Sequence, residues 1–72
     1  MTEHVYSISE VVGSSADSLD AAIRNAVRRT AATTRNVEWF AVDEIRGHVV
    51  DGEVAHFQVT LKIGFRVEEP QG

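Results

Sequence analysis

An indole leaving the core beside a row of polar side chains suggests a surface built to hold something flat. Trp39 is the only tryptophan of the chain. It stands in Val37-Glu38-Trp39-Phe40-Ala41-Val42, where period-two alternation turns Phe40 and Val42 to one side and Trp39 to the other. An indole that leaves the core offers an electron-rich face to an aromatic partner. Gln58 lies in the run Ala55 to Val67, whose alternation puts Phe57, Val59, Leu61, Ile63 and Phe65 on one face and His56, Gln58, Thr60, Lys62 and Arg66 on the other. A glutamine amide donates and accepts hydrogen bonds at once. Any anionic ligand must be met by a few placed arginines rather than by a broad basic field. These residue types bind. No nucleophile or poised acid–base pair accompanies them, so an enzyme is not expected.

Each of these residues also has a plainer role open to it. A lone tryptophan on a small domain often anchors a subunit interface. A strand glutamine is often only solvated, and Arg46 could pair with Glu44 or Asp43. The three histidines, His4, His48 and His56, raise a metal reading. They lack ligand-like spacing, however, and the simplest register puts His48 and His56 on opposite faces, so no metal site is expected. Gly13-Ser14-Ser15 ahead of a helix could cradle a phosphate, but without a glycine-rich loop it reads as a turn and cap.

The elements that must position these residues are four. Tyr6 to Val12 is β-branched enough to form a first strand, ending at Gly13-Ser14-Ser15. A helix is expected from about Asp17 to Thr33, because Leu19, Ala22, Ile23, Ala26, Val27 and Thr30 make one apolar stripe at helical spacing. Ser14 or Ser15 is expected to cap it, with Asp20 and Arg24 paired on the far side. Two long strands follow around Asp51-Gly52, a strong hairpin signal. The order is β-α-β-β: an α+β fold whose three-stranded antiparallel sheet wraps one amphipathic helix.

A two-residue turn at Asp51-Gly52 pairs Val50 with Glu53. Phe40 and Val42 then face Ile63 and Leu61 over the helix. Trp39, Ala41, Asp43 and Ile45 share the other face with Gly64, Lys62, Thr60 and Gln58. In that register Trp39 and Gln58 lie six residues apart along the ladder, roughly 20 Å, so a site using both is expected to form between subunits. The register also leaves Glu44 and Arg46 on the core face, which hints at a β-bulge.

Composition supports assembly and excludes several function classes. The chain of 72 residues forms one domain, 1–72, which alone buries only about 60% of its unfolded surface. It has no cysteine, so oligomerisation is the expected source of further stability. The net charge of −4, without a basic stripe, argues against nucleic acid. No apolar run reaches the roughly 18 residues of a membrane span, and Met1-Thr2-Glu3-His4 does not resemble a signal peptide, so a cytoplasmic protein is expected.

Several segments together are similar to the dodecins. Val11-Val12-Gly13-Ser14-Ser15 before an alanine-rich helix resembles their strand-to-helix entry. Trp39-Phe40, then Ile45-Arg46-Gly47-His48, Phe57-Gln58-Val59 and Ile63-Gly64-Phe65-Arg66, resemble their bacterial hairpin. The resemblance implies a hollow homododecamer that binds flavins in pairs and stores or buffers them. It assigns Trp39 to stacking on the isoalloxazine ring and Gln58 to the ring's polar edge. Arg46 beside Ile45 fits the branch suited to phosphorylated flavin, hence FMN, with riboflavin or FAD as other flavins. Coenzyme A is a further ligand of such proteins, and the resemblance does not place its site here. The contrasting reading is an interaction module whose Trp39 face only packs subunits.

Overall fold

The computed structural model describes residues 3–68. Four elements follow in the expected order: β1 Tyr6–Ser15, α1 Leu19–Ala31, β2 Val37–Val50 and β3 Glu53–Arg66. The three strands form one antiparallel sheet with β3 in the middle, flanked by β1 and β2. The helix packs over β1 and β3.

The first strand runs three residues past Val12, since Ser14 and Ser15 pair with Gln58 and Phe57 of β3. Gly13 is therefore a strand residue and not a turn. It is buried against the helix so closely that a Cβ would come within 2.2 Å of the Ala22 carbonyl oxygen. Its lack of a side chain is what lets helix and strand meet. The cap lies further along than Ser14 or Ser15. Ser18 is extended (φ −167°, ψ 164°) and its hydroxyl accepts from the Ala21 amide at 3.0 Å. Ser15 Oγ instead accepts from the Asp17 amide at 2.9 Å, tightening the entry loop. At the other end the helix stops at Ala31, short of the expected Thr33. The amides of Thr33 and Thr34 both donate to the Thr30 carbonyl, and Asn36 (φ 64°) turns the chain into β2.

The apolar stripe does what its spacing requires. Ala22 and Ala26 are buried on Val59, Leu61 and Ile63 of β3, with Leu19, Ile23, Val27, Val11 and Val37 around them. On the outer side of the helix, Asp20 accepts from Arg24 at 2.9 Å. This core is small, and β2 contributes little to it. Phe40 and Val42 are 47% and 42% exposed, and Ile45 is 55% exposed. A chain of this size that leaves so many large apolar side chains in the open has surface that another subunit can cover.

The hairpin turn forms as expected, with positive φ at both Asp51 (53°) and Gly52 (78°), the twist that suits a two-residue connection. Val50 pairs with Glu53 and Val49 with Val54. Beyond them the register slips by one, because Ala55 is an extra residue on β3. It slips back at Asp43, an extra residue on β2, so Val42 pairs with Leu61 and Trp39 with Gly64 as anticipated.

Candidate functional site

Between those two irregularities every β2 side chain is on the opposite face from the one a regular hairpin gives it, because strand period is two. Arg46 pairs with Gln58 and Glu44 with Thr60, so both leave the core side for the face away from the helix. Ile45 moves the other way. It pairs with Val59, a buried core residue, and so lies on the helix-side face rather than beside Trp39 and Gln58. The expected placement of Ile45 on the outer face is thus corrected. The physical cause is the bulge at Asp43.

The outer face carries, in successive rows, Trp39 with Gly64, Ala41 with Lys62, Glu44 with Thr60, Arg46 with Gln58, and His48 with His56. Trp39 is 40% exposed. Its indole lies over the Gly64 backbone: a Cβ built at Gly64 would sit 2.1 Å from Cε2, 2.3 Å from Cζ2 and 2.6 Å from Cδ2. Three ring atoms so near one point mean that the ring presents its face, not its edge, to the strand. Glycine opposite the tryptophan is therefore a requirement of the site, and sequence alternation alone did not reveal it.

Arg46 and Gln58 meet directly. The Arg46 Nε–H donates to Gln58 Oε1 at 3.1 Å. That bond orients the amide and fixes the guanidinium. It leaves the Gln58 amide hydrogens and the terminal guanidinium nitrogens without further protein partners among the described residues. Neither Glu44 nor Asp43 takes Arg46. Asp43 instead lies 3.9 Å from Lys62 Nζ. A separate polar cluster lies past Trp39, where Arg66 is 3.6 Å from Glu38 and the Tyr6 hydroxyl donates to Glu38 at 3.2 Å. Loss of water and the bond to Glu38 raise the Tyr6 phenol above its ordinary pKa, which keeps it a donor.

The structure therefore brings Arg46 and Gln58 together and leaves Trp39 apart. Gln58 and Gly64 are six residues apart on one strand, roughly 20 Å at the usual rise. A flat ligand touching both the indole and the amide needs them from different copies of the chain. One groove among the described residues runs between β1 and α1, by Gly13, Ser14, Asn25 and Arg28, and does not include them.

The histidines are also rearranged. His48 and His56 pair directly across the strands, with ring centroids 5.3 Å apart and planes inclined by 20°. Opposite faces were expected, and the slip at Ala55 overturns that. Among the described residues, no group of three or more metal-binding side chains is clustered.

An outward indole lying flat on glycine, and an arginine–glutamine pair on the same face, fit an aromatic ligand with a polar edge and an anionic tail. Known proteins are similar to this chain over almost its whole length. The dodecin family matches residues 5–68. The dodecin of Thermus thermophilus is 46% identical over 65 residues, covering 90% of this chain and 94% of that protein. The structure of dodecin from Streptomyces coelicolor superposes with a TM-score of 0.90 at 53% identity, covering 97% of this chain and all (100%) of that one. Dodecin from Streptomyces davaonensis gives a TM-score of 0.89 at 46% identity, over 94% of this chain and 100% of that one. A family match across nearly the whole described chain, with the same fold in solved relatives, means that the chain belongs to the dodecin family of small flavin-binding proteins.

Proposed function

We propose that this protein stores and buffers FMN, as a homododecamer, by sequestering the flavin on the outer sheet face. The observation that carries the reading is the Trp39 indole lying flat over Gly64 with its other face free. A bound flavin supplies a flat, electron-poor ring and, in FMN, a phosphate. The chain's residues do the rest. Trp39 stacks, for about 0.5–1.5 kcal/mol beyond the burial of area. Gln58, turned by Arg46, offers its amide hydrogens to the ring's carbonyl edge. Arg46 uses its terminal nitrogens for the phosphate, which favours FMN over riboflavin.

Assembly is part of the mechanism. Trp39 of one copy and the Arg46–Gln58 pair of another would converge where outer sheet faces of different copies meet. Closing the site this way excludes water and shields the ring. Trp39 is also the natural quencher, since an indole in van der Waals contact donates an electron to an excited acceptor faster than that acceptor emits. Trp39, Gln58 and Arg46 are binding side chains and none is a nucleophile, which supports sequestration rather than turnover.

Titration of ligand-free protein with FMN and with riboflavin, following indole and flavin emission together, tests the reading. The expected result is joint quenching with tighter binding of FMN. Absence of any emission change on adding either flavin would reject it.

A further inference from the structure

The His48–His56 pair lies one row beyond Arg46–Gln58 and takes no part in the flavin reading. We infer that it is a two-imidazole site for a divalent transition-metal ion of the zinc class. The geometry is specific. Zinc–nitrogen bonds of about 2.0–2.1 Å at a tetrahedral angle put the centroids of two ligating imidazoles roughly 5 Å apart. The rings here are 5.3 Å apart. The 20° between planes is a stacked arrangement, so the rings must turn about Cβ–Cγ for their nitrogens to converge on an ion. That torsion is broad for histidine, so the rotation is cheap.

The pairing is also held in place. The two residues are direct cross-strand partners between the hairpin turn and the Arg46–Gln58 row, and the extra residue at Ala55 is what puts them opposite each other. His48 is exposed and His56 half-buried, so an ion can enter and keep water at its open positions. The charges nearby are mixed. Arg46 stands on the same face in the adjacent row, with its Nε–H engaged by Gln58. Glu44 lies one row further. Asp51 and Glu53 at the hairpin end add negative charge. Imidazole donors select zinc, nickel and copper over calcium and magnesium, whose preference is for oxygen. With two protein ligands the site is an exchangeable one, filled and emptied with the metal supply, and not a structural staple.

The test uses the full chain in its assembled, FMN-loaded form, with zinc as the probe in calorimetry. One zinc per chain is expected, with calcium and magnesium failing to compete. His48→Gln and His56→Gln should each weaken zinc by at least about tenfold, since even residues that only orient a metal ligand contribute about 10–100-fold. His4→Gln should leave it unchanged, and FMN binding should be intact in all three variants. Copper(II) on the unmodified protein gives a reading that needs no variant: pulsed electron paramagnetic resonance should detect two imidazole nitrogens. Zinc affinity that survives either substitution, a single coordinated imidazole, or no zinc uptake overturns the site. None of these outcomes bears on whether Trp39 and Arg46 hold FMN, so the two readings fail separately.

Discussion

Gly64 lies directly beneath the indole of Trp39, so closely that even a methyl group would overlap three ring atoms. The outer sheet face is thus layered here, with glycine backbone below, indole above, and the exposed side of the indole outermost.

Gly64→Ala tests that layering. The added Cβ would meet Trp39 Cε2 at 2.1 Å, so the indole must lift or turn. Flavin affinity should fall by tenfold or more, about 1.4 kcal/mol, while the backbone ladder persists because alanine tolerates strand geometry. Isothermal titration with FMN, alongside native mass measurement, reads both effects.

Trp39→Ala removes the stacking partner. Lost stacking and lost apolar burial together should cost at least about 1–3 kcal/mol of affinity. Residual flavin should regain emission, because its electron donor is gone. A variant that assembles normally and binds FMN as tightly and as darkly as the parent removes Trp39 from the site.

Arg46→Ala separates phosphate from ring. Hydrogen bonds to charged groups contribute roughly 1.5–3 kcal/mol, so FMN should weaken by about tenfold or more and riboflavin far less. Equal losses would mean that Arg46 serves only to orient Gln58, to which it donates at 3.1 Å.

Assembly follows from the uncovered surface of β2. Light scattering at micromolar concentration should report about twelve subunits. A stable monomer would contradict a site shared between copies, and a stable dimer would contradict the dodecamer.

Ser18→Ala checks the helix entry independently of any ligand. Loss of the hydroxyl that accepts from the Ala21 amide should cost about 0.5–2 kcal/mol of stability. Thermal unfolding should shift down, with FMN affinity unchanged in the folded state.

Much of the fold was legible in the sequence because local rules carried it. The stripe from Leu19 to Val27 specified one helix face, and Asp51-Gly52 specified the turn through positive φ at both residues. The segments from Val11 to Arg66 that resemble dodecins pointed to the family. They also marked Trp39, Arg46 and Gln58 for attention before any geometry was known. Other features depended on contacts distant in sequence. Ser18, not Ser14 or Ser15, became the cap because Ser14 and Ser15 pair with β3. Gly13 and Gly64 are required by what lies against them, the Ala22 carbonyl and the Trp39 ring, which no local pattern records. The faces of Ile45, Arg46 and His48 were decided by single extra residues at Asp43 and Ala55. In a ladder of period two, one inserted residue reverses every side chain that follows until a second restores the register. The sequence by itself therefore determined which residue types could bind, and the tertiary pairing of β2 with β3 decided which of them stand together.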